Sequence, residues 1–78
     1  IPLIELNAGE KAVIHHLIGG RSIFARLASL GFTPGTRITM IRNWQHGPLL
    51  VFIRGGQVAL GRGEAAHILV SPINEGGG

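Results

Sequence analysis

The run Arg26-Leu27-Ala28-Ser29-Leu30-Gly31-Phe32-Thr33-Pro34-Gly35-Thr36 constrains this chain more than any other stretch, because it spells a helix ending, a tight turn and a strand beginning in immediate succession. Apolar residues at Ile23, Leu27 and Leu30 recur at i, i+4 and i+7, which lines one face of a short helix. The spacing predicts that helix over Ile23 to Leu30, with Ser22 as its N-cap. Gly31 can take the left-handed conformation that closes a helix, and Pro34-Gly35 presets a turn. The alternating stretch Arg37-Ile38-Thr39-Met40 then reads as a strand.

Short strands separated by glycine turns fill most of the remaining chain. Leu3 to Gly9 reads as a lead-in followed by a turn, and the branched apolar stretch Lys11 to Ile18 as a strand ending at Gly19-Gly20. Further strands are predicted over Arg37 to Asn43, Leu49 to Arg54, Gln57 to Gly61 and Ile68 to Ser71. About five short strands with one helix after the first describe a mainly β fold, a small barrel. With 78 residues there is room for a single domain, assigned here to residues 1–72. A chain of this length buries only about 60% of the surface its unfolded form exposes, so its core must be filled efficiently. The Gly-rich residues 73–78 are too poor in apolar side chains to pack and read as a flexible tail. The start at Ile1, without Met, suggests a piece of a longer chain.

Gly55-Gly56 is the obvious two-residue hairpin turn, and such a turn fixes the register on either side. It predicts Val51 opposite Leu60, Phe52 opposite Ala59 and Ile53 opposite Val58. Leu49, Val51, Ile53, Val58 and Leu60 then share the core face. Leu50 and Phe52 fall on the other face, where a barrel in water normally carries polar side chains. Either the helix or a neighbouring strand covers them, or they form an apolar patch for a partner.

The residues able to do chemistry are few. There is no Cys, which excludes disulfides and thiolate metal sites, and no Asp. His15 and His16 adjoin in a strand and are expected on opposite faces, so they do not readily share one ion. Glu64 and His67 stand at i, i+3 on a predicted helical turn after Gly63, a weak metal signal. No nucleophile elbow, phosphate loop or His-Glu-x-x-His pattern occurs, so the chain reads as a non-enzyme. Its net charge is +3, but the arginines are scattered over nearly every element, and no nucleic-acid partner is expected. No apolar stretch of membrane-spanning length exists, so no membrane insertion is expected. Trp44 lies in the polar loop Asn43-Trp44-Gln45-His46-Gly47-Pro48. It either folds over the barrel's open end or anchors an interface, with Arg42 and His46 as its polar rim. Leu50, Phe52, Trp44, Arg42 and His46 are therefore the candidate partner-binding residues.

The Leu30-Gly31-Phe32-x-Pro34-Gly35 turn, the Gly47-Pro48 pair and the ending Ala59-Leu60-Gly61 … Glu64-Ala65 … Ile68-x-Val70 occur in order. Together they resemble the FeoA domain of bacterial ferrous-iron uptake, over about Ile4 to Val70. The resemblance implies an SH3-like barrel with a helix inserted after the first strand. It also implies a small cytoplasmic accessory protein that binds, and regulates or scaffolds, the FeoB-type membrane transporter of ferrous iron. It leaves open a homo-oligomer and a weak site for Fe2+ or another divalent transition metal, with no cofactor required. Two alternatives accompany it: the C-terminal SH3-like domain of a metal-dependent transcriptional repressor, and a small metal-binding barrel.

Overall fold

Leu49, Val51 and Ile53 alternate with Leu50 and Phe52 along one strand, and that alternation orients the whole sheet. In the computed structural model, which describes residues 1–73, the inward set is buried in a core that is entirely hydrophobic. The elements are a 3-10 helix Leu3–Glu5, strand β1 (Lys11–Leu17), helix α1 (Arg21–Ser29), strands β2 (Arg37–Arg42), β3 (Leu49–Ile53) and β4 (Gly56–Leu60), the short helix α2 (Arg62–Ala65) and strand β5 (Ile68–Ile73). The five strands form one antiparallel sheet in the order β4-β3-β2-β1-β5. The mainly β architecture with one helix after the first strand agrees with the sequence reading. Ile73, placed in the tail by the sequence, instead pairs with Lys11 at the end of β5. The remainder of that tail, Glu75 to Gly78 included, lies outside the described residues.

Helix α1 begins earlier than its apolar spacing indicates. Its N-cap is Gly20 rather than Ser22, with no side-chain cap. Its end follows the expected logic closely: Gly31 has φ +100°, the Gly31 N–H donates to the Ala28 carbonyl at 3.0 Å and the Phe32 N–H to the Leu27 carbonyl at 3.0 Å. This pair of bonds satisfies carbonyls that the helix end would otherwise orphan. It also delivers Phe32 into the core beside Leu27, both fully buried. Leu30, expected on the packed face, is 36% exposed, and Phe24 stands 51% exposed. The helix is tied down by Leu27 and Phe32 rather than by a continuous apolar stripe.

The β3–β4 turn falls on Arg54-Gly55, not Gly55-Gly56. Both turn residues have positive φ, 51° and 81°, as a primed two-residue hairpin turn requires. Every β3 residue therefore faces a partner two positions earlier than the glycine pair implies: Leu49 meets Leu60, Val51 meets Val58, Phe52 meets Gln57 and Ile53 meets Gly56. The core decides this register. It sets Leu49 directly opposite Leu60, both fully buried, whereas the glycine-centred register would set Leu49 opposite Arg62. A slip of two preserves the faces, so Leu50 and Phe52 still point outward.

The lead-in segment does more than connect. Leu3 and Leu6 are buried members of the core, held by the 3-10 helix between them. Ile1 and Pro2 run beside β5, where the Val70 N–H donates to the Ile1 carbonyl at 2.7 Å.

Gly31 is the position where this fold leans hardest on glycine. A Cβ there would adopt left-handed backbone and lie 2.9 Å from Arg54 Cδ. Gly31→Ala is expected to destabilise the domain by about 1–2 kcal/mol, and each kcal/mol lowers the melting temperature of a domain this size by about 4–8 °C. An unchanged melting temperature would show that the helix end does not need glycine.

Candidate functional site

Two strand irregularities decide which side chains reach the surface together. Between Met40 and Arg42 the β2–β3 register shifts, so that Met40 faces Val51 while Arg42, not Ile41, faces Leu50. This bulge at Ile41 turns Arg42 onto the outer face, since directly opposed residues share a face. Leu50 in turn faces Ala59 on β4. One row, Arg42-Leu50-Ala59, thus crosses three strands on the outside of the sheet. The neighbouring row is Thr39-Phe52-Gln57.

The loop from Asn43 to Pro48 rises over the first row. Trp44 is 62% exposed, so it does not plug the barrel, and the Arg42 guanidinium lies 4.5 Å from its ring centroid. A stacked cation of this kind contributes about 0.5–1 kcal/mol at an exposed site. Arg42, Trp44, His46, Pro48, Leu50 and Ala59 line an open groove of about 500 Å³. Four of the five residues singled out in the sequence therefore converge. Phe52, 44% exposed, stands in the adjacent row and lines a separate hollow of about 250 Å³ with Lys11, Arg37, Ile38, Thr39 and Arg54. Neither the helix nor a strand covers Phe52, while Leu50 is half-buried.

The loop is positioned by two residues the sequence reading passed over. Asn43 Nδ2 donates to the Ile4 and Leu6 carbonyls at 2.8 and 2.7 Å, and its Oδ1 accepts from Arg62 Nη1 at 3.0 Å. Arg62 also donates to the Trp44 carbonyl. Asn43 thereby ties the base of the Trp44 loop to the 3-10 helix, and Arg62 at the start of α2 clamps it from the other side. A lone Asn at a strand end carries no sequence signal of this role, because all its partners are distant in the chain.

The histidines take other positions. A bulge in β1 between Ile14 and His16 breaks the alternation, so both His15 and His16 are exposed, their ring centroids 6.5 Å apart. This corrects the expectation of opposite faces. Glu64 and His67 do not act as a pair. Glu64 accepts from Arg26 Nε and from the Gly61 N–H, and His67 Nδ1 donates to the Ile18 carbonyl at 2.8 Å. The Arg26 hydrogen bond holds the Glu64 carboxyl below the usual carboxylate range, and the same pair raises the Arg26 guanidinium above its ordinary value. Among the described residues no group of three or more His, Cys, Asp or Glu side chains converges as a metal site. No helix there is long and apolar enough to cross a membrane.

The FeoA domain model matches residues 1–72. The chain belongs to the FeoA domain family. A Methanocaldococcus jannaschii protein whose name assigns it provisionally to Fe(2+) transport, as its protein A, is 34% identical over 76 residues, covering 97% of this FeoA domain and 92% of that relative. A crystal structure of the iron uptake regulatory protein FeoA superposes with a TM-score of 0.90 at 30% identity, over 94% of this chain and 97% of the other. The crystal structure of Stenotrophomonas maltophilia FeoA complexed with zinc, described as a prokaryotic SH3-domain protein, gives a TM-score of 0.75 at 30% identity over 91% and 89% of the two chains. The SH3-like fold expected from the sequence is therefore that of this FeoA domain.

Replacing Asn43 by Ala removes the donor to the Ile4 and Leu6 carbonyls and the acceptor for Arg62. Because each such hydrogen bond contributes about 0.5–1.5 kcal/mol net, Asn43→Ala is expected to destabilise the domain by about 1–3 kcal/mol and to increase the mobility of the Trp44 indole. Tryptophan fluorescence anisotropy and a thermal melt measure both. Unchanged anisotropy would show that the loop is held by something else.

Proposed function

We propose that this FeoA domain is a non-enzymatic accessory protein of ferrous-iron uptake in the cytoplasm. It docks on the cytosolic portion of the FeoB-type transporter through the outer face of β2, β3 and β4. Support for the pathway comes from relatives at 30% identity or more that carry ferrous-iron transport or iron-uptake names, and these favour it over the repressor-domain alternative. Support for the surface comes from one observation above the others: a groove that gathers Trp44, Leu50 and Arg42 at the exposed outer side of the sheet, with Phe52 beside it. An exposed apolar patch with a polar rim is the usual form of a protein-binding site, and Trp and Arg are over-represented among the residues that dominate binding energy. Any bound Fe2+ acts as cargo of the transporter, and weak metal contact by exposed histidines is secondary.

The double substitution Leu50→Glu/Phe52→Glu places two carboxylates on this face. It is expected to leave the melting curve cooperative while weakening binding to the transporter's cytosolic portion at least about a hundredfold, the loss of roughly 3 kcal/mol that two anchor contacts carry. Isothermal titration calorimetry measures it. A cooperative double mutant that binds as well as the natural sequence would remove this face from the contact.

A further inference from the structure

The two edges of the sheet are treated differently. At the β5 edge, Ile1 and Pro2 pair with Leu69 and Val70, and Pro72 lies within the strand. Both are ordinary means of blocking an edge against further strands. The β4 edge has neither. Its residues Gly56-Gln57-Val58-Ala59-Leu60 contain no proline and no charge, and among the described residues no strand pairs with its outer side. In a hairpin closed by a two-residue turn, the flanking pair Ile53 and Gly56 exchanges hydrogen bonds, and bonded and non-bonded pairs alternate from there. Val58 and Leu60 therefore bond to β3, whereas the N–H and C=O groups of Gln57 and Ala59 point away from the sheet. Both residues are exposed.

That free edge is continuous with the groove. The row Arg42-Leu50-Ala59 ends at Ala59, whose small side chain leaves the groove open toward the edge. The charge there is predominantly positive: Arg54 and Arg62 bracket β4 and Arg42 lines the groove, while Glu64, the carboxylate beside the end of β4, is engaged by Arg26 and the Gly61 N–H. We propose that the β4 edge receives an extended acidic segment of a partner protein as a sixth strand, with alternate apolar side chains of that segment seated beside Trp44 and Leu50. Main-chain bonds to Gln57 and Ala59 supply affinity and the groove supplies side-chain selection, as in other strand-addition complexes. A second copy of this chain fits the edge poorly. Two β4 strands paired antiparallel about a two-fold axis bring the Arg54 end of one beside the Arg62 end of the other, cation against cation.

This inference rests on the docking face proposed above and names the chemistry of its occupant. The probe is a capped octapeptide alternating glutamate and valine, with two controls: a lysine–valine counterpart, and the acidic peptide N-methylated at alternate residues. The acidic peptide is expected to slow amide hydrogen exchange at Gln57 and Ala59 and to bind less tightly as salt is added. The lysine peptide and the N-methylated peptide are expected not to bind. Ala59→Pro, which removes an outward N–H and no ladder bond, is expected to weaken the acidic peptide roughly tenfold. Should that variant unfold, the N-methylated peptide on the natural sequence decides the matter. Absence of acidic-peptide binding, equal binding of the lysine peptide, binding without protection at Gln57 and Ala59, or a peptide-free dimer protected at those amides would each overturn strand addition. If Ala59→Pro folds and keeps full affinity for the transporter's cytosolic portion while Leu50→Glu/Phe52→Glu loses it, strand addition is wrong and the docking face stands. If the glutamate pair also leaves that affinity intact, the docking reading itself has failed.

Discussion

Burial of Leu49, Val51 and Ile53 on one side of β3 leaves Leu50 and Phe52 nowhere to go but outward, and the rest of the molecule is arranged around that commitment. The observed register of the β3–β4 hairpin sets Leu49 directly opposite Leu60, both fully buried, where the glycine-centred register would set Leu49 opposite Arg62. That pairing forces a positive φ on Arg54, a conformation that costs a residue with a Cβ about 1–2 kcal/mol. Packing Leu49 against Leu60 instead of Arg62 offsets a cost of that size, since fully burying a leucine contributes about 1.5–3 kcal/mol. The core therefore wins over the turn, and the glycine pair loses its apparent claim to the bend.

Bulges perform the second step. Without the extra residue at Ile41, Arg42 would align with Leu49 and face the core; with it, the guanidinium sits outside and stacks on Trp44. The bulge at His15, in the pairing of β1 with β5, likewise leaves two neighbouring imidazoles exposed. Both are local departures from two-residue periodicity, and both change which chemistry the surface presents.

Much of this was legible beforehand. The five strands, the helix after the first of them, the helix-closing Gly31 and the outward pair Leu50 and Phe52 follow from apolar spacing and turn chemistry, which are local properties. What escaped notice depends on contacts distant in sequence. Ser22 has the chemistry of a cap, yet the helix starts two residues earlier, with Gly20 as its N-cap and no side-chain cap bond. The lead-in showed no strand pattern, yet Leu3 and Leu6 fill the core. Asn43 and Arg62 gave no hint of acting together, since they meet only after β3 and β4 have brought them side by side. Of the site itself, the residue types were readable from the Trp44 loop and the hairpin, whereas the gathering of Arg42 with Leu50 required the bulge.

The outer sheet face is not the sole apolar surface, for Phe24 and Leu30, which flank the Leu27 anchor at i−3 and i+3, are exposed as well. What sets the sheet face apart is organisation: it joins a groove, a stacked cation and a free strand edge. Backbone amide chemical-shift mapping, with the transporter's cytosolic portion titrated into isotopically labelled FeoA domain, tests that distinction most directly. The account predicts the largest shifts along Arg42 to Leu50 and Gln57 to Ala59. Shifts confined to α1, around Phe24 and Leu30, would contradict it.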